Sequence, residues 1–336
     1  MTVNVGVSAA PARSPWQGRA AEFARTRGSL IALIVLVVAF TAGNPRFVSL
    51  QNIHSIADAA AIVAVVAVGQ TFVILMGAID LSVEGVMSVS GVTISLLVAN
   101  DRNSLDLGLL AIPVVLALGA LIGFAAGVAN TRLRIPSFMA TLGFWAIGLG
   151  AATVLFGGSP PIIEQQSFLD IGLGHIFGFT KISYIALAVV LFAWVLQRYT
   201  RFGRYAYVIG GDESVARLSG INVDRYKILI FTFSGTMFAL ASILATSELG
   251  VGDANTGTGY LFTAITAVVI GGTLLSGGRG GIMQTLIGSL VIAVIVNGMI
   301  LVGINPLAQQ GIEGAIILLA VALTGWPLRR PLRVIK

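Results

Sequence analysis

A polytopic α-helical membrane fold is predicted for this 336-residue chain by three observations. Its residues are 56% hydrophobic and only 10% charged, with a mean hydropathy of +0.95, whereas soluble domains hold roughly 45–50% apolar residues. Its apolar residues gather in repeated runs near the ~20 residues that cross a ~30 Å hydrocarbon core, where helices satisfy their own backbone hydrogen bonds. Its Lys and Arg residues fall in alternate connections between those runs, as retention of positive charge on one side of a membrane requires.

Taken in order, residues 1–28 are rich in Ala, Pro, Ser and Arg and read as a disordered cytoplasmic tail. Basic residues ahead of an apolar run also fit a cleaved signal peptide. The tail is long and no A-x-A site follows the run, so the run is kept as the first span. Apolar runs occupy Leu30–Ala42, Ile53–Ile79, Val83–Ala99, Leu107–Val128, Pro136–Phe156, Ile182–Leu196, Tyr226–Ala245, Leu261–Leu275, Ile282–Val302 and Ile312–Leu323. They make about ten spans in one domain, 29–325, with a basic cytoplasmic tail at 326–336. The first and sixth are short, so flanking residues extend them or the bilayer thins there.

With the N-terminus inside, 17 of the 20 Lys and Arg residues become cytoplasmic and only Arg46, Arg102 and Lys181 lie outside. An odd number of spans scrambles this pattern, so both termini are expected in the cytoplasm. The net charge of +6 is spread over short loops and forms no single patch, which marks topology and not nucleic-acid binding. The absence of cysteine excludes a disulfide framework, a thiolate metal site and a cysteine nucleophile. The longest external connection, 157–181, is either a landing surface for an external partner or a packed surface loop.

Three interruptions carry chemistry. In GQTFVILMGAIDLSVEG, Gly69 to Gly85, an apolar helix runs into Asp80, Ser82 and Glu84 with no hydrophilic loop between. A charge at the bilayer centre costs at least ~2.5 kcal/mol, so these acids face a cavity, packed protein or the interface, and the helix breaks. Asp80 or Ser82 is expected to N-cap the helix that follows. In GGTLLSGGRGG, Gly271 to Gly281, glycines permit a tight or re-entrant membrane turn. This is not a phosphate loop, because the G-x-x-x-x-G-K-[ST] pattern is absent, so the chain is expected to bind no ATP and no other cofactor.

The third interruption, TRFGRYAYVIGGDESVARLSGINVDRYK from Thr200 to Lys227, is the largest polar segment on the inside. Asp212 is a good N-cap, Val215 and Leu218 share one helical face, and Gly220 supplies a stop. A short cytosolic amphipathic helix, an interfacial helix on lipid headgroups and a plain loop element all fit this composition.

These stretches, together with RIPSFMATLGFWAIGLG (Arg134 to Gly150) and AVVIGGTLLSGGRGG (Ala267 to Gly281), resemble in order the landmarks of ribose-type ABC importer permeases, from about Phe47 to Leu323. The resemblance implies a translocation-pathway subunit in the bacterial inner membrane that does no covalent chemistry. It also implies a second permease subunit, identical or paralogous, two cytosolic ATP-binding subunits, and a periplasmic binding protein that delivers a sugar or polyol. Glu213, Ala216 and Gly220 correspond to the E-x-x-A-x-x-x-G core of the element that touches the ATPase, with Val215 and Leu218 as apolar contacts. Where family members usually read GGIDLSVG, this chain has Ala78 and Glu84, two departures beside the presumed pathway.

A neutral sugar needs only a weakly polar pathway, for which Gln70, Asp80, Asn130, Asn297 and Gln310 are candidates. Each can equally form a helix-to-helix hydrogen bond. The alternative is an ion-coupled secondary transporter with Asp58, Asp80, Glu84, Glu248 or Glu313 as proton or sodium sites. No His, Asp and Ser set or metal-ligand spacing points to an enzyme.

Overall fold

The computed structural model describes residues 15–305 and positions 308, 311, 312, 314 and 315. Twelve helices run among them: α1 Pro15–Gly43, α2 Leu50–Leu75, α3 Val83–Leu97, α4 Ala111–Thr131, α5 Ser137–Phe156, α6 Gln166–Leu173, α7 Lys181–Tyr199, α8 Arg201–Gly211, α9 Glu213–Leu218, α10 Val223–Leu249, α11 Tyr260–Ile270 and α12 Ile282–Leu301. A two-stranded hairpin, β1 His175–Ile176 and β2 Phe179–Thr180, precedes α7.

Helix α1 starts inside the stretch expected to be a disordered tail, which corrects that expectation from Pro15 onward. Proline at the first helical position is preorganised in φ, and Ala20, Ala21, Glu22 and Ala24 are good helix formers leading into the apolar run. Six helices are long and apolar enough to cross a membrane, and Gly28–Gly43, α3 and α11 are shorter apolar helices. The nine match the first nine predicted runs. The tenth, Ile312–Leu323, lies almost wholly outside the described residues, as do Gln310, Glu313, residues 1–14 and the basic tail.

The eighth run departs from a simple span. It contains only an 11-residue helix, α11, about 16 Å long and so about half of the hydrocarbon core. Ahead of it, residues 250–259 run along α3 in successive turns and not as a continuous helix: Gly252 packs on Ser95 near one end of α3 and Gly257 on Glu84 at the other. Asp253 and Asn255 make the turns, Asp253 Oδ1 accepting from the Asn255 N–H at 2.8 Å. Backbone of this kind is tolerated at membrane depth only when covered by protein or lining a cavity.

Two helices form the centre. In α2 89% of the apolar window is buried, against 22% in α5, which therefore belongs to the periphery. Helix α10 packs most extensively on α4, and the contact is glycine-lined. Added Cβ atoms at Gly119 or Gly123 of α4 would overlap the Gly235 and Phe231 carbonyls of α10, so the backbones touch directly. This follows the Gly119-x-x-x-Gly123-x-x-x-Gly127 repeat, a signal of close helix crossing that is visible in the sequence.

The loops sort to two ends. At one, Asn100 bridges to Ile163, Ile162 bridges to Val251, and Arg102 donates to the Phe156 carbonyl. At the other, the α2–α3 break meets the start of α5 through Thr141, whose Oγ1 accepts from the Leu81 N–H at 2.9 Å. The glycine turn meets the same end, the Gly278 N–H donating to the Leu75 carbonyl at 2.9 Å.

Candidate functional site

Helix α9 is built by its own sequence and then pinned. Asp212 Oδ1 caps it, accepting from the N–H groups of Ser214 at 2.9 Å and Val215 at 3.1 Å and from the Ser214 hydroxyl at 2.6 Å. The Ser214 hydroxyl bond, followed by the Val215 N–H, holds the Asp212 carboxyl below its ordinary pKa. Gly220, with φ +77°, ends the helix in the left-handed conformation. Ala216 is fully buried against the bundle.

Glu213 ties α9 down: its Oε2 accepts from Lys227 Nζ at 2.6 Å and its Oε1 from Arg217 at 2.9 Å, while Arg217 also reaches Asp224 at 2.6 Å. Partial desolvation pushes Glu213 up, but the Lys227 and Arg217 contacts outweigh it and leave the pKa below the ordinary value. A depressed carboxylate contributes stability above its unfolded pKa and loses it as pH falls through the folded value, so the clamp is intact at neutral pH. Val215 and Leu218 point the other way, 52% and 88% exposed. A six-residue helix thus presents two large apolar side chains to solvent from a fixed mount.

Besides these side-chain contacts, the mount meets the bundle through direct backbone approach. Gly210, near the end of α8, lies so close to α2 that an added Cβ would overlap the Leu75 carbonyl oxygen and come within 2.7 Å of the Gly278 nitrogen. Gly277 in turn packs on Gly77 in the α2–α3 break. Helix α8, which leads into α9, the glycine turn 271–281 and the break therefore meet at one junction. The sequence marks the glycines but not their meeting.

Beyond the break, Asp80 is fully buried. Its Oδ1 accepts from the Ser82 N–H at 2.9 Å and hydroxyl at 2.6 Å, and its Oδ2 from the Ser234 hydroxyl of α10 at 3.0 Å. The expected cap is corrected here: Ser82 is the N-cap residue of α3 but makes no side-chain cap bond, and Asp80 stitches the break to α10 instead. Ser234→Ala removes one donor from a buried carboxylate. It is expected to cost about 1–3 kcal/mol of stability, read as a lower melting temperature of the purified protein, and Ser234→Thr should restore it.

The other candidates separate. Gln70 is fully buried and neither of its amide atoms has a hydrogen-bond partner, and Asn297 Oδ1 is likewise buried without one. Asn130 instead closes the α4–α5 turn, its Nδ2 donating to the Ile135 carbonyl at 2.9 Å. Glu84, one of the two departures, bridges elements: Oε2 accepts from Trp145 Nε1 of α5 at 3.2 Å and Oε1 from the Gly259 N–H at 3.0 Å. Asp58 accepts the Thr180 and Ser183 hydroxyls at 2.7 Å at the opposite end of α2. Glu248 is exposed near the end of α10. Sequence reasoning passed over Ser234 and Trp145, since nothing local distinguishes a serine or tryptophan that completes a distant carboxylate's bonds.

A bundle of membrane-length helices with a broken, polar interior and a capped helix projecting apolar side chains from one end defines a polytopic membrane transport protein. Residues 52–321 match the model of the family described as branched-chain amino acid transport system / permease component, and the chain belongs to that family. It is 38% identical over 297 residues to the ribose import permease protein RbsC of Escherichia coli K12, covering 87% of this chain and 91% of that protein. It is 38% identical to the probable ABC transporter permease protein YphD of the same strain, covering 88% of this chain and 87% of that one. The L-arabinose transport system permease protein AraH is 34% identical, with 88% of each chain covered. No solved structure matches. The chain is thus a multi-pass permease subunit of an ABC importer and not an enzyme, and subunits of this kind work with ATPase and binding-protein partners.

Proposed function

We propose that this permease forms the pathway for a sugar or related small polar solute in the bacterial inner membrane. A periplasmic binding protein delivers the solute, and two cytosolic ATP-binding subunits drive a pair of permease subunits, identical or paralogous. The observation that carries the reading is α9: Leu218 and Val215 stand exposed on a helix that is capped, clamped by Glu213 and anchored by buried Ala216. Such a pair is the apolar knob an ATPase groove would receive. The glycine junction at Gly210 and Gly278 would pass its movement to the α2–α3 break, so that nucleotide binding elsewhere changes the relative stability of inward-open and outward-open states. Gln70 and Asn297, whose buried amide atoms are unpaired, are the groups with hydrogen-bonding capacity left for a passing hydroxyl. Glu213 clamps the helix from within the permease and, partly exposed, offers the ATPase a polar contact beside Val215 and Leu218.

The test is reconstitution in proteoliposomes with the co-encoded ATP-binding and binding proteins. Uptake is expected to require all of them and ATP, and the permease alone should neither bind nor hydrolyse ATP. Uptake by this chain alone under a proton or sodium gradient would overturn the reading.

Ten spans with both termini cytoplasmic complete the proposal. Between residues 29 and 305, nine basic residues sit in the connections at the α9 end and three, Arg46, Arg102 and Lys181, at the other. In this cysteine-free chain, single cysteines at Ser167 and Ser214, both exposed, provide the check. An impermeant thiol reagent on intact cells is expected to reach position 167 only; labelling at 214 would reverse the orientation.

A further inference from the structure

Two cavities lie along the seam between α7 and α12, and together they have the polarity and length of a phospholipid. The first, about 480 Å³, opens at the α9 end of the bundle between Trp194, Gln197 and Arg198 of α7, Arg204 and Tyr207 of α8, and Gln284 of α12. The second, about 290 Å³, is largely apolar and lies further along the same helices, walled at its near edge by Leu187 and Val190 of α7, Leu286 and Leu290 of α12 and alanines of α2, and extending to Ser183 and Tyr184 near the start of α7. From Arg198 back to Leu187 the helix rises about 16 Å, close to the ~15 Å hydrocarbon depth of one leaflet. Leu191, Phe192 and Val195 are exposed on α7 between the two levels, so the seam opens on an exposed apolar face of the chain.

The floor of the first cavity is rigid and hydrogen-bonded. Buried Gln197 donates through Nε2 to Tyr207 Oη at 2.8 Å and accepts the Ile282 N–H through Oε1 at 3.0 Å, while Tyr207 Oη donates to the Gly280 carbonyl at 2.6 Å. Its cations are left over. Among the described residues neither Arg198 nor Arg204 pairs with a carboxylate. Arg204 makes a single 3.2 Å bond to the Tyr199 carbonyl. Trp194 places an amphipathic ring between the charged and apolar levels, the position such rings take at a membrane interface.

We propose that this seam binds an anionic phospholipid of the cytoplasmic leaflet, with its phosphate on Arg198 and Arg204 and one acyl chain in the apolar cavity. Guanidinium groups match phosphate oxygens in charge and fork geometry, and basic pockets between spans on the cytoplasmic side suit such headgroups. The apolar cavity in line with the arginines is what selects a lipid over a free anion. The leaflet rests on the orientation proposed above, but the binding itself does not.

The test is native mass spectrometry of the purified full-length permease with short-chain phosphatidylglycerol, phosphatidylcholine of the same chain length, and inorganic phosphate. Phosphatidylglycerol should bind preferentially. The Arg198→Gln and Arg204→Gln double variant should lower its affinity roughly thirtyfold, at the strength typical of two basic residues against anionic lipid, and lower that of phosphatidylcholine, whose phosphate is offset by its own ammonium group, by much less. Leu187→Trp, which fills the apolar cavity, should weaken phosphatidylglycerol while keeping both arginines, and monodisperse elution checks that each variant folds. Equal affinity for the two lipids, or no loss in the double variant, overturns the proposal. Displacement of phosphatidylglycerol by equimolar inorganic phosphate would reduce the site to an ion site. Expulsion of the lipid on assembly with the ATP-binding subunits would make it part of that interface. A permease inactive in reconstituted uptake leaves every one of these readouts intact, so the two failures are distinguishable.

Discussion

Gly210→Val is expected to abolish uptake and to lower the amount of folded permease recovered from membranes. The atoms an added Cβ would meet are the Leu75 carbonyl oxygen, the Leu75 carbonyl carbon at 2.9 Å and the Gly278 nitrogen at 2.7 Å, all backbone. No side-chain rotation relieves the overlap, so α8 must move away from α2. That movement disturbs the bond from the Gly278 N–H to the Leu75 carbonyl, now 2.9 Å, and with it the junction linking α9 to the α2–α3 break. Overpacking of this kind costs about 1–3 kcal/mol in ordinary cores, and the rigid surroundings place this site at the upper end. Gly210→Ala should be intermediate. Size-exclusion of a fluorescent fusion measures folding and a reconstituted assay measures uptake; normal uptake by the valine variant would remove the junction from the mechanism.

Leu218→Asp is expected to leave the permease folded yet uncouple it. The side chain is 88% exposed in the isolated chain, so a charge there disturbs no packing within the bundle. In the assembled importer the same side chain would enter an ATPase groove. Truncating a packed interface anchor costs about 1 kcal/mol or more, and a hot spot about 2 or more, so affinity for the ATP-binding subunit should fall about tenfold for alanine and further for aspartate. Gly220→Val isolates the backbone contribution. Nothing lies within 4 Å of an added Cβ at Gly220, whose φ is +77°, so the fault is strain alone. Gly220→Asn, which tolerates that region, should be the milder change. Co-purification of the ATPase and its substrate-stimulated activity are the readouts. Full stimulation in Leu218→Asp and Gly220→Val variants that insert normally would show that α9 is not the coupling element.

Much of this was legible before any fold was known because it is governed by neighbours in the chain. Hydropathy over ~20 residues located nine apolar helices, six of them long enough to cross a membrane, since insertion into lipid sums over the segment itself. The cap at Asp212, the stop at Gly220 and the shared face of Val215 and Leu218 are likewise local, and α9 forms where those signals lie. The same reasoning missed the helix that starts at Pro15, where a polar composition was read as disorder although its residues favour helix.

The tertiary structure alone decided which apolar helix is enclosed within the chain and which lies at its periphery. In water an amphipathic stripe separates the two; in a bilayer both faces are apolar, so α2 and α5 look alike in sequence while one is enclosed and the other peripheral. It alone decided that Asp80 bonds Ser234, more than 150 positions away, and that the chain before α11 runs along α3 outside any helix. Such contacts depend on which backbones approach each other, and no local pattern of residues encodes that distance. The sequence by itself determined the class of protein, its apolar helices and the short capped helix α9, whose driving forces are local. The buried carboxylate's partners, the glycine junction and the arginine-lined seam arise only when distant segments pack, because burial and close approach are properties of the assembled bundle.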